Sequence, residues 1–142
     1  MTTDATVYVV DDDPTVLRAL TRLLGVEGFR VVTFGSATEF LAQPLLDYPM
    51  CLMLDLRMPG MTGFDLLQEL DAAGRDIPVI LMTGHANDSI LEHAVTRNVV
   101  ALLAKPFEAT ALFAALNEGI GRDRDRRRKQ PRGSEPASSA RN

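Results

Sequence analysis

The chain has a single cysteine, Cys51, so no internal disulfide can form. A reducing cytoplasm is the simplest setting for such a chain. Inside the apolar run Met50-Cys51-Leu52-Met53-Leu54 that cysteine reads as a small core residue rather than a nucleophile. No apolar run approaches the roughly 20 residues needed to span a bilayer. The start Met1-Thr2-Thr3-Asp4 lacks the basic region and apolar core of a secretory signal. There is no Gly-x-x-x-x-Gly-Lys phosphate cradle and no Gly-x-Gly-x-x-Gly fingerprint, which argues against a nucleotide or flavin binder.

What remains is a chain of 142 residues, sized for one domain, with 46% hydrophobic residues and a net charge of −4. The charge is uneven. Residues 122–142 hold eight Lys/Arg and three Asp/Glu, a net of +5, which leaves −9 on the other 121 residues. An acidic body is followed by a basic tail. The tail begins Arg122-Asp123-Arg124-Asp125-Arg126-Arg127-Arg128-Lys129 and has no apolar periodicity. Its first part can extend the last helix, and the remainder reads as disordered. It lacks the interleaved aromatics that stack on bases, so it reads as a solvated tail rather than a nucleic-acid binder. The expected division is a folded domain over 1–121 and a basic tail over 122–142.

Short apolar runs alternate with stretches of helical period. Strands are expected at Thr6–Val10, Arg30–Phe34, Cys51–Asp55, Val79–Thr83 and Ala101–Ala104. Between them Leu17, Leu20, Leu23 and Leu24 mark a first helix, opened by Pro14 and stopped by Gly28. Ser36 caps a second around Phe40 and Leu41. Phe64, Leu66, Leu67 and Leu70 mark a third, ending near Gly74. Ile90, Leu91, Ala94 and Val95 mark a fourth, capped by Asn87 or Asp88. Leu112, Phe113, Leu116 and Ile120 mark a fifth. Strand–helix alternation with apolar strands implies a parallel sheet covered on both faces. Ligands in such open sheets sit at the carboxyl ends of the strands. That edge receives Asp11, Asp12, Asp13, Asp55, Thr83 and Lys105.

Three adjacent aspartates repel, and a shared cation relieves them; carboxylates plus water suit Mg²⁺. Asp55, at the end of the central strand, is a candidate nucleophile toward phosphorus. Lys105 and Thr83 offer an ammonium and a hydroxyl to phosphoryl oxygens.

The segments Val9-Val10-Asp11-Asp12-Asp13, Asp55-Leu56-Arg57-Met58-Pro59-Gly60-Met61-Thr62-Gly63, Thr83-Gly84-His85 and Lys105-Pro106-Phe107 together resemble the receiver domain of two-component response regulators. The resemblance covers about residues 5–121 and is greatest to receivers of the nitrogen-fixation transcriptional regulator type. It implies a flavodoxin-like (βα)5 fold with a five-stranded parallel sheet. It implies that Asp55 is phosphorylated by a histidine kinase or phosphotransfer protein in a Mg²⁺-dependent reaction. Asp12 would be a direct metal ligand, Asp11 would act largely through water, and Asp55 and the Arg57 backbone carbonyl would complete the set. Asp13 would be a free surface acid. Lys105 and Thr83 would contact the phosphoryl group, and the bond from Lys105 to Pro106 would be cis. Arg57 and His85 would lie at the mouth and modulate autodephosphorylation. His93, mid-helix, reads as a surface or packing residue.

Two positions depart from the pattern. Leu102 stands three residues before the lysine, where Tyr or Phe is usual. A switch that couples Thr83 to rotation of that aromatic would be muted, or output would depend more on the helix between Ala86 and Arg97. Asn98 stands where Gly is frequent, a mild change since Asn tolerates left-handed backbone. The readout face would be the fourth helix, fifth strand and fifth helix. Its Leu102, Leu103 and Ala104 are more at home in a core than at an interface. Expected partners are the phosphodonor, a downstream protein of unspecified kind and, as an open question, a second copy after phosphorylation. No membrane partner is expected, nor nucleic acid for this domain.

Two other readings compete. In a haloacid-dehalogenase-like phosphatase a second acid stands two residues after the nucleophile, and that place is held by Arg57. Residues 122–142 are too few for a helix-turn-helix output domain. The chain is therefore expected to be a stand-alone receiver or a fragment of a DNA-binding transcription factor. The expected role is signalling rather than enzymatic turnover.

Overall fold

The computed structural model describes residues 5–44, 49–84 and 99–129. The strands are β1 (Thr6–Val10), β2 (Arg30–Phe34), β3 (Met50–Asp55), β4 (Val79–Thr83) and β5 (Val99–Ala104). They form one sheet in the order β2-β1-β3-β4-β5, all pairs parallel. Chain order and sheet order diverge at β1 and β3, and that divergence opens the crevice where such sheets bind ligands. Three strands keep their expected bounds. β3 starts earlier because Met50 pairs with Thr6, and β5 starts earlier because Val99 pairs with Val79.

The described helices are α1 (Pro14–Val26), α2 (Ala37–Leu41), α3 (Gly63–Ala72) and a C-terminal helix (Ala109–Lys129). Their ends follow local chemistry. Pro14 sits in the first turn of α1, where its missing N–H costs nothing. Ser36 accepts from the Glu39 N–H to start α2. Thr62 and Asp65 exchange bonds in a capping box at the start of α3. Gly28 and Gly74 take positive φ just past α1 and α3, a geometry a Cβ would oppose. The expected fourth helix, with Asn87, Asp88, His93 and Asn98, lies outside the described residues, as does His85.

Side-chain alternation splits the core by parity. Tyr8, Val10, Leu52, Leu54 and Leu81 pack on the α2 and α3 side. Val7, Val9, Cys51, Met53, Ile80 and Met82 pack beneath α1 and the C-terminal helix. Both faces are covered, so the central strands are apolar throughout. Cys51 is fully buried, and burial, then the nearby Asp123 charge, pushes its thiol up to about 12. It is a core residue.

The first part of the basic stretch extends the last helix, as its sequence allows: the C-terminal helix runs past residue 121 to Lys129. Ion pairs one turn apart, Glu118 with Arg122 and Asp125 with Arg128, support that extension. Four basic residues in the last turn suit the negative end of the helix dipole. Leu102 and Ala104 are not core residues. β5 is an edge strand, so its alternate side chains face outward; Leu102 is 38% exposed while Leu103 is buried.

Candidate functional site

β1 and β3 are neighbours in register, so the residues that leave their carboxyl ends meet. Val10 pairs with Leu54, and Asp11 follows one strand as Asp55 ends the other. The Asp11 N–H is held by the Phe34 carbonyl at 3.1 Å and the Leu56 N–H by the Met82 carbonyl at 3.0 Å. Both acids are thus fixed by backbone.

Asp11, Asp12 and Asp55 each bring a carboxylate oxygen within 4.8 Å of the others. Asp11 is fully buried, Asp55 is nearly so and Asp12 is exposed. Lys105 reaches in from the end of β5. Its Nζ donates to Asp11 Oδ2 at 2.8 Å and lies 3.6 Å from Asp55 Oδ2. The Lys105 N–H donates to the Thr83 carbonyl at 2.7 Å, which ties the ends of β4 and β5 together. Thr83 is fully buried, and the Lys105–Pro106 peptide is cis.

The electrostatics follow from this crowding. Burial raises the Asp55 carboxyl above its ordinary range, and the charges of Asp11 and Asp12 raise it further. Lys105 and the Arg57 N–H, 3.4 Å from Oδ1, pull the other way without cancelling the rise. Burial alone would lower Lys105, but its hydrogen bond and charge contact with Asp11, then Asp55, outweigh that and raise it. The site is a carboxylate cluster in which one ammonium serves two acids.

Removing that ammonium should be costly. Lys105→Ala is expected to destabilise the fold at neutral pH by about 1–3 kcal/mol, between the values for exposed and buried pairs. Because Lys105 is raised when folded, its contribution is present below its ordinary range and fades only at more alkaline pH. Urea titration should therefore show the deficit at pH 7, and added Mg²⁺ should restore part of it. A variant as stable as the native chain at pH 7 would refute the charge balance.

Two residues do more than their sequence positions suggest. Asp13 is exposed and outside the cluster, but it is not idle. Its carboxylate accepts from the Thr15 N–H at 2.9 Å and caps α1, while its own N–H donates to Asp11 Oδ1 at 2.9 Å. The Asp-Pro-Thr order before an apolar period was the available signal. In sequence Gly63 stands out only as the last residue of the Asp55–Gly63 segment. A Cβ there would lie 2.3 Å from the Asp55 carbonyl oxygen, so α3 can approach β3 only with glycine at this point. Its N–H donates to the Leu56 carbonyl at 3.1 Å and closes the loop that carries Arg57. Arg57 is exposed.

Comparison with known proteins identifies the family. Residues 7–117 match the family model described as response regulator receiver domain. The chain is 41% identical over 128 residues to nodulation protein W of Bradyrhizobium diazoefficiens, covering 90% of this chain and 56% of that protein. It is 36% identical over 129 residues to the transcriptional regulatory protein FixJ of Azorhizobium caulinodans, covering 91% and 61%. It therefore spans less than two thirds of these relatives. The structure of response regulator StyR superposes with a TM-score of 0.84 at 38% identity, over 89% of this chain and 64% of that one. Among the described residues no helix is long and apolar enough to cross a membrane. With its flavodoxin-like parallel sheet and its acidic edge, the chain belongs to the receiver domains of two-component response regulators.

Proposed function

We propose that Asp55 is the phosphoacceptor and that it takes a phosphoryl group from a phosphohistidine of a histidine kinase or phosphotransfer protein. An Asp55 carboxylate oxygen attacks phosphorus, the P–N bond to the donor imidazole breaks, and an acyl phosphate forms. The observation that carries this reading is the placement of Asp55. It ends the central strand, within 4.8 Å of two further acids and 3.6 Å from the Lys105 ammonium.

The donor set fits Mg²⁺. Three carboxylates supply hard oxygen ligands, and exposed Asp12 leaves room for the waters this ion retains. Asp11, Asp12, Asp55 and the Arg57 backbone carbonyl would hold it. When bound, it supplies positive charge against the acids and the phosphoryl oxygens. Lys105 then shifts from Asp11 toward a phosphoryl oxygen, and the Thr83 hydroxyl meets another. Exposed Arg57, and His85 by the resemblance of the Thr83-Gly84-His85 segment, would set how readily water reaches the acyl phosphate. Leu102 carries the change outward in place of the usual aromatic, with less coupling to Thr83.

Two surfaces suit protein partners. Beside the site, Val16, Leu20 and Leu23 of α1 and Pro106 and Phe107 line a cleft of about 440 Å³ that also touches Lys105. An apolar side chain of the phosphodonor fits there. Exposed Leu102 on edge strand β5 suits a downstream protein or a second copy of the chain. The longer relative FixJ is a transcriptional regulatory protein, and the chain serves either alone or as the receiver part of a DNA-binding regulator; a cytoplasmic setting suits both. Incubation with acetyl phosphate should add one phosphoryl group per chain by intact mass in Mg²⁺ and none in excess chelator. Equal uptake in both conditions would sink the metal requirement, and no uptake in either, with the kinase also failing, would sink the acceptor.

A further inference from the structure

The apolar stripe of the C-terminal helix runs Leu112, Ala115, Leu116, Gly119 and Ile120, all buried against the sheet. At helical spacing the next position on that stripe is Asp123. Its side chain is 0% exposed, whereas Glu118 and Asp125 on the same helix are 54% and 63% exposed. Burying a carboxylate is costly unless it is paired and hydrogen-bonded, so its contacts define it.

Asp123 has three donors. The backbone N–H of Met50, the first residue of β3, donates to Oδ2 at 2.9 Å. Arg126 Nη2 donates to Oδ1 at 2.6 Å and Arg127 Nε to Oδ2 at 2.8 Å. The helix can come this close because Gly119, one turn earlier, has no Cβ; one built there would lie 2.9 Å from Cys51 Sγ. The influence of the Asp123 charge on the Cys51 thiol reports the same proximity.

We propose that Asp123 is a buried ionic lock that clamps residues 122–129 to the amino end of β3 and makes them a fixed extension of the receiver body. β3 then has Asp55 at one end and the lock at the other, about 16 Å apart at the usual rise of a strand. The lock orients the end of the helix at Lys129, away from the acceptor. Two guanidinium groups that would otherwise form a mobile basic run are held inward. A carboxylate is required: a neutral amide can accept from Met50 but cannot balance both arginines.

Hydrogen exchange read by mass spectrometry on the full chain tests this. In Asp123→Asn, exchange across 122–129 should rise roughly tenfold or more, while β1 and β4 stay protected and phosphoryl uptake from acetyl phosphate continues. The double variant Arg126→Gln, Arg127→Gln keeps the bond to Met50. It should loosen 122–129 while the Met50 amide stays protected, and it decides the matter if Asp123→Asn fails to fold. Native-like protection of 122–129 in the double variant would overturn the lock, as would unchanged exchange in Asp123→Asn.

Discussion

Asp55→Asn should leave the intact mass unchanged after acetyl phosphate and Mg²⁺, while the native chain gains one phosphoryl group. The amide keeps the shape of the carboxylate but has no nucleophilic oxygen anion, so the loss should be complete rather than partial. The same variant carries a second expected result. Burial and then Asp11 raise the folded-state carboxyl of Asp55 above its ordinary range. A raised carboxyl favours folding at acidic pH, where it is neutral in both states. That contribution is lost as pH rises through the folded-state value. At neutral pH the ionised Asp55 therefore opposes folding, and Asn should relieve it. Asp55→Asn should melt at a higher temperature than the native chain at pH 7, with the gap closing below the ordinary carboxylate range and narrowing in Mg²⁺. A lower melting temperature for the variant at pH 7 would contradict this account. Residual uptake would move the acceptor to another residue.

Gly63→Ala is expected to be the most damaging single-methyl change in the described structure. Its Cβ would sit 2.3 Å from the Asp55 carbonyl oxygen and 2.9 Å from Leu56 Cα, both backbone atoms that cannot swing aside. Relief requires α3 to back away from β3 or the Asp55–Leu56 backbone to shift. Either costs about 1–3 kcal/mol, a fall in Tm of roughly 3–11 °C for a chain of this size. Displacing the proposed acceptor by even part of an ångström should also slow phosphoryl uptake, by up to about a hundredfold. Gly84→Ala is the control, because a Cβ there meets nothing within 4 Å. It should fall within about 0.5 kcal/mol of the native chain. Equal thermal stability of the two variants would show that α3 does not need its close approach.

Asp55 and Gly63 differ in how legible they are in the chain. Asp55 was visible in the chain as an acid closing an apolar run beside a Met-Pro-Gly turn. Its neighbours, Asp11, Asp12, Thr83 and Lys105, were each legible as residues at strand ends. The strands were legible for the same reason, since a sheet buried on both faces demands apolar runs bounded by polar ends. Gly63 and Asp123 were not legible in that way. A glycine in a loop and an acid in a run of arginines have many local explanations. Only the approach of α3 to β3, and of the C-terminal helix to Cys51, gives them a partner.

By itself the order of residues determined the element sequence, the parallel sheet and the set of groups gathered at its carboxyl edge, because these follow from periodicity and from the rule that strands end where polarity begins. Tertiary structure decided distances and burial. It placed Lys105 on Asp11 rather than midway between the acids, turned Asp13 into a helix cap, exposed Leu102 on an edge strand and buried Asp123 beneath a basic tail. Each of those outcomes depends on contacts between residues far apart in the chain, such as the 73 positions between Met50 and Asp123. Local propensity carries no information about such contacts; packing does.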